Sequence, residues 1–237
     1  MQMMRSETRS VGDKVQGLGS GELYKKLSPE ALKHFMALAT PSMYAANIML
    51  FQEKEVARSI FVVLEGEVKL SINSSDGRRL SLRIARKGDV LGLAAVLAGK
   101  THDMTAETLY PAKLGPIGRN EFLGFLARYP AAYPAFSAEL SREYTLACEQ
   151  LRTVALSASA PEKLARLLLD RSDSRTTEPN GRIRFSLTHE EIGQFIGATR
   201  ETVTRTLSIF KERHLVSCNG STLTIADRSA LEHYALA

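Results

Sequence analysis

Apolar positions recur along this chain first with a period of two and later with the spacing of helices. From about Met43 to Arg119 they fall on alternate residues or in short solid runs. Ile60–Leu64 is a continuous apolar run, Val68, Leu70 and Ile72 alternate with polar residues, and Leu80, Leu82 and Ile84 alternate again beyond Ser74-Ser75-Asp76-Gly77. Alternation marks strands covered on one face, a solid run marks a buried strand, and the Ser-Asp-Gly segment marks the turn between two strands. Breaks at Gly66, Gly88, Gly92, Gly99, Pro111, Gly115 and Pro116 cut the segment into many short strands, the pattern of a small barrel or roll. Ahead of it, Ser28-Pro29-Glu30 opens a short helix carrying Leu32, Phe35, Met36 and Leu38. Residues 1–20 are Ser, Gly and charge and read as a disordered lead.

Past Pro130 the spacing becomes helical. Phe136, Leu140, Tyr144, Ala147, Leu151 and Val154 trace a narrow stripe of nearly heptad spacing. A narrow stripe is the seam of a coiled coil rather than a broad core face, so these six positions predict a long helix paired with its twin in a homodimer. Ser157-Ala158-Ser159-Ala160-Pro161 reads as a hinge.

The remaining segment carries the strongest local signal. Glu162–Arg171 reads as a helix with Leu164, Leu167 and Leu168 inward, and Arg182–Ser186 and Ser221–Ile225 read as short strands. Between them lies LTHEEIGQFIGATRETVTRTLSIFKERHLV, Leu187 to Val216. Thr188 and Glu191 have the spacing of a capping box, and Ile192, Phe195 and Ile196 give the first helix an apolar face. Gly197-Ala198-Thr199 supplies a tight turn with a fresh cap at Thr199. In the second helix Val203, Leu207 and Phe210 point inward, which turns Arg200, Glu201, Thr204 and Arg205 outward near its start. That is where a recognition helix meets base edges: Arg can bond guanine at O6 and N7, and Glu can accept from cytosine N4. Thr188, Thr199, Thr202, Arg184 and Lys211 are the candidate phosphate contacts, and strands flanking the two helices predict a winged form.

Arg200-Glu201-Thr202 with Arg205, preceded by Glu191-Ile192-Gly193, resembles the helix-turn-helix of the Crp/Fnr family, and within it the cAMP-receptor-protein branch. The resemblance runs from about Met43 to Ile225. It implies an α+β architecture: an N-terminal β-roll sensor of the cyclic-nucleotide-binding jelly-roll type at 21–130, a dimerisation helix at 131–158 and a winged helix-turn-helix domain at 159–237. It further implies a cytoplasmic transcription regulator that binds double-stranded DNA at an inverted repeat of TGTGA-like half-sites, with RNA polymerase as a partner. Thr204 stands where the family usually has glycine.

The effector site departs from that pattern. Where cyclic-nucleotide-binding members have Gly-Glu-Leu, this chain has Gly92-Leu93-Ala94, and where they have Arg-Ser-Ala it has His102-Asp103-Met104. Ala147-Cys148 stands in place of the Thr-Ser pair that meets adenine. A phosphate requires Arg or N–H donors and Asp103 would repel it, so cAMP is not the expected ligand. What remains is a more apolar pocket, from Leu93, Met104 and Ala147. Haem on His102 is an alternative, although a lone histidine on a roll surface is more commonly a solvated residue. A regulator with no ligand fits equally.

Composition adds bounds. With 237 residues and 44% hydrophobic content, two domains are expected. The net charge of +5 is compatible with nucleic acid, yet residues 160–237 hold eleven Lys/Arg against ten Asp/Glu, so any basic surface must be focused on one face. Two cysteines, Cys148 and Cys218, are too few for an iron–sulfur cluster, which takes about four, and form no metal-ligand pattern. There is no apolar run of signal-peptide or membrane length. No nucleophile elbow, P-loop or HExxH motif appears, so an enzyme is not expected. The competing class is a haem- or small-molecule-binding sensor or scaffold whose winged domain mediates protein contacts. The outward Arg200, Glu201 and Arg205 speak against it.

Overall fold

The computed structural model describes residues 22–156, 159–173, 182–183, 187–219 and 222–236. The expected lead, Ser157-Ala158 of the hinge, Arg184 and Gly220 lie outside them. Contacts divide the chain into two compact units: residues through Asn73 with Leu82–Leu146, and Ser74–Ser81 with the chain from Ala147 onward. The division thus falls inside the long helix rather than at the Ser157–Pro161 segment.

The first unit contains two four-stranded sheets. One has the order β1 (Ser42–Tyr44), β8 (Ala112–Gly118), β3 (Ser59–Glu65), β6 (Val90–Leu91); the other has β2 (Met49–Phe51), β7 (Thr105–Thr108), β4 (Val68–Asn73), β5 (Arg79–Ala85). Strand β3 explains its own solid apolar run, because both of its faces are covered. Ile60, Val62 and Leu64 join a cluster built with the helices, while Val63 joins an inner cluster with Phe51, Val68, Leu70, Leu91, Ala106 and Leu114. On β4 the expected alternation fails, since Lys69 and Ser71 are buried too. Lys69 Nζ lies 3.6 Å from Glu107 Oε2, directly across the ladder on β7.

Among the described residues, four helices complete this unit's layers: α1 (Glu22–Lys25), α2 (Pro29–Leu38), α3 (Leu93–Ala98) and α4 (Arg119–Arg128). A turn at Pro130–Ala132 leads into α5 (Tyr133–Leu156). Ser28 caps α2 as its position before Pro29 predicts, its hydroxyl accepting from Ala31 N at 3.2 Å. Helix α3, unanticipated, is bracketed by Gly92 and Gly99 with φ of 77° and 64°, a left-handed backbone that favours glycine. Around it, Val90, Leu91 and Val96 are fully buried, whereas Ala98 is exposed.

The expected dimer seam needs correction at its start. Phe136 is 1% exposed and meets Phe35, Phe122 and Phe125 with ring centroids 5.0–6.1 Å apart. Leu140 is half-buried against the same cluster. This first stretch of α5 therefore covers its own roll. Farther on, Tyr144 (72% exposed) and Leu151 (62% exposed) stand in the open, as does Ala147.

The second unit packs α6 (Ala160–Asp173), α7 (His189–Ile196), α8 (Arg200–Glu212) and α9 (Arg228–Leu236) around Leu164, Ala165, Leu168, Ile192, Phe195, Leu207 and Phe210. A three-stranded antiparallel sheet has the order β10 (Val216–Asn219), β11 (Thr222–Ile225), β9 (Arg182–Ile183). Helix α9 was not anticipated. Asp227 caps it by accepting from Ala230 N at 2.9 Å, Leu231 and Ala235 bury its inner face, and Tyr234 packs on Phe210 at 5.2 Å. No helix among the described residues is long and apolar enough to cross a membrane.

Candidate nucleic-acid interface

The Thr188–Glu191 capping box forms reciprocally. Glu191 N donates to Thr188 Oγ1 at 3.2 Å and Thr188 N donates to Glu191 Oε2 at 2.9 Å. Helix α7 ends at Gly197 with φ 64° and ψ 39°, so a left-handed glycine makes the turn. Close approach adds a second requirement, because a Cβ on Gly193 would sit 2.5 Å from the Ala198 carbonyl oxygen. Thr199 then caps α8 by accepting from Thr202 N at 3.3 Å.

Helix α8 divides as its spacing predicts. Val203, Leu207 and Phe210 are buried, and Thr206 is buried with its hydroxyl donating to Thr202 O at 2.8 Å. Arg200, Glu201, Thr204, Arg205 and Lys211 are all exposed, Thr188 and Thr199 are exposed at the two caps, and Thr202 is half-exposed. Two of the outward residues are already engaged within the protein. The Glu201 carboxyl is held below its ordinary range by its own backbone N–H and the Thr199 hydroxyl. Thr204 Oγ1 donates to Arg200 O at 2.9 Å and meets His189 Nδ1 at 2.8 Å. His189 looks in the sequence like a plain helix start; its bond to α8 could not be read from spacing.

The roll residues expected at the effector site are not gathered around one opening. Leu93 is fully buried among the helix-facing core, whereas Met104 packs on the inner cluster of the sheets. Asp103 is exposed. His102 is not the solvated residue expected of a roll surface. It is 4% exposed, stacked on Phe51 at 3.8 Å and 12°, and burial lowers its pKa, which favours the neutral ring. Ala147 is exposed and Cys148 is a half-buried free thiol. Val154 is half-buried, and a Cβ added at Gly197 would come within 3.0 Å of its methyl.

An ion cluster that sequence reading missed joins the roll to the first half of α5. Asp89 accepts from Arg83 Nη1 at 2.7 Å, Arg142 Nη2 at 2.8 Å and Arg86 N at 3.0 Å. Arg83 Nη2 donates to Glu143 Oε1 at 3.0 Å, and Arg142 Nε donates to Glu139 Oε2 at 3.0 Å. Burial pushes the Glu143 carboxyl up from 4.5 to about 7, against the pull of Arg83.

Residues 162–234 match the Crp-like helix-turn-helix domain, and residues 41–129 match the cyclic nucleotide-binding domain. The chain belongs to the Crp/Fnr family. As a member it is a DNA-binding transcription regulator. The cAMP-activated global transcriptional regulator CRP of Pasteurella multocida is 25% identical over 197 residues, 82% of this chain and 93% of that protein. Among solved structures, FixK2 from Bradyrhizobium japonicum aligns with a TM-score of 0.74 at 24% identity, covering 84% of this chain and 98% of that one. The c-di-GMP responsive global regulator CLP of Xanthomonas campestris aligns equally well, TM-score 0.74, at 18% identity over 84% of this chain and 100% of that one. At these identities the Crp/Fnr structures speak for the fold.

Proposed function

We propose that the chain acts as a homodimer on an inverted repeat of TGTGA-like half-sites, and that its roll does not take cAMP. The observation that carries the first part is the partition of α8: Val203, Leu207 and Phe210 buried, Arg200, Glu201, Thr204 and Arg205 exposed near its N-terminus. Two arginines favour guanines and Glu201 favours a cytosine on the other strand, which together make a short G-containing block. A twofold dimer turns that block into an inverted repeat with centres about 34 Å apart. The open residues Tyr144, Ala147 and Leu151 on α5 supply the apolar surface for the second copy. The Pasteurella relative is named as cAMP-activated. Here the positions that would hold the nucleotide carry Leu93 and His102, both buried in packing contacts, and the acidic Asp103. Haem is not assigned either, because His102 is buried in packing against Phe51.

The test is a binding selection from random DNA followed by affinity measurement on the selected site. Arg205→Ala should cost about 1–3 kcal/mol there and relax the guanine preference. Lys211→Ala should weaken binding to all sequences alike and flatten the salt dependence. Selection of no palindromic motif, or of one indifferent to Arg205→Ala, would refute the assignment.

A further inference from the structure

Thr204 is an exposed recognition-helix residue whose hydroxyl is occupied on both sides. Its one hydroxyl proton goes to the Arg200 carbonyl oxygen at 2.9 Å, an acceptor one helical turn back. The contact with His189 Nδ1, at 2.8 Å, must then run the other way, with the imidazole donating to a lone pair of Oγ1. A neutral histidine carries its proton on one ring nitrogen only, so this bond selects the Nδ1–H tautomer. With the oxygen engaged by Arg200 O on its own helix and by His189 on α7, the remaining group of the exposed Thr204 side chain is its Cγ2 methyl.

We propose that Thr204 reads thymine through this methyl, against the base's own C5-methyl, and that His189 is the positioning residue that keeps the hydroxyl out of the groove. Of the four base pairs, only those with thymine present a methyl in the major groove, and a threonine methyl is one of the groups that meets it. A free threonine hydroxyl would serve any base with an acceptor or donor, and so would discriminate little. The His189 bond turns an undiscriminating residue into a selective one. This inference rests on the proposed docking of α8 in the major groove.

The experiment uses the full-length protein and an operator obtained by selection. Each thymine of a half-site is replaced singly, on either strand, by deoxyuridine, which removes the C5-methyl and leaves the hydrogen-bonding edge intact. Wild type should show one thymine per half-site at which the loss weakens binding about fourfold, the effect of one buried carbon. Thr204→Val, which keeps an outward methyl, should retain that sensitivity. Thr204→Ser, which loses the methyl and keeps the hydroxyl, should abolish it. His189→Ala should reduce the thymine-to-deoxyuridine ratio towards one while leaving binding to unrelated DNA unchanged, a readout that a merely structural role would not move. Sensitivity at no thymine, sensitivity that survives Thr204→Ser, or a ratio unaffected by His189→Ala would each overturn the proposal while leaving the α8 docking intact. Absence of any sequence-selective binding would instead remove the docking itself, and the proposal with it.

Discussion

Glu143→Gln isolates a carboxyl of the ion cluster that burial moves into the neutral range. In the folded chain Glu143 takes up its proton at about 7, whereas an unperturbed glutamate does so at 4.5. Between those values the folded protein holds a proton that the unfolded chain has released. Stability must therefore fall as pH rises through this window, and level off above it. At 1.36 kcal/mol per pH unit the full difference is at most about 3.4 kcal/mol. Glutamine resembles the protonated acid at every pH and can still accept from Arg83, so the variant should lack this component. Native-state hydrogen exchange of the β3 and α4 amides reports the first unit even where the second opens separately. Between pH 5 and pH 8 the variant should gain up to about 2.5 kcal/mol on wild type. Parallel pH profiles, or an ordinary acidic titration of the Glu143 carboxyl by carbon-13 NMR, would refute the reasoning.

Phe136 and Leu151 share one stripe yet should respond oppositely. Phe136→Ala empties a packed core site and should destabilise the first unit by about 3–5 kcal/mol in urea unfolding, whereas Leu151→Asp should leave that stability unchanged and weaken the dimer in light scattering. Gly193→Ala forces a Cβ against the Ala198 carbonyl oxygen; strain of about 1–3 kcal/mol should appear as a lower melting temperature of the second unit and weaker DNA binding. Cyclic AMP at millimolar concentration should shift neither melting temperature nor DNA affinity, since a ligand at 100 times its dissociation constant would add about 2.7 kcal/mol; micromolar binding by calorimetry would overturn the pocket assignment.

Local chemistry was the most legible part of the chain. Thr188 with Glu191, Gly197 and Thr199 are signals confined to a few residues, and the structure builds each as a cap or turn. The solid run Ile60–Leu64 was legible as a buried strand, because two-sided burial removes alternation. What could not be read is which neighbour covers an apolar residue. Phe136 and Leu151 belong to the same apolar stripe, but only the three-dimensional path of α2 and α4 assigns the first to the roll. The burial of Leu93 and His102 escaped for the same reason. The ion cluster was invisible because Arg83 and Glu143 are 60 residues apart and Asp89 and Arg142 are 53, and charges along a strand or helix ordinarily mark a wet face.

In the free protein the Glu201 carboxylate is tied to its own N–H and to Thr199 at the start of α8. In the proposed docking, accepting from a cytosine competes with that station. Sites with cytosine reward the exchange; sites without it let Glu201 stay where it is, and the helix start remains satisfied. The penalty for a wrong base at this step is therefore softened. A family of natural operators should drift most freely here and hold firm at the guanines, so that one protein can serve a graded set of promoters rather than a single strict sequence.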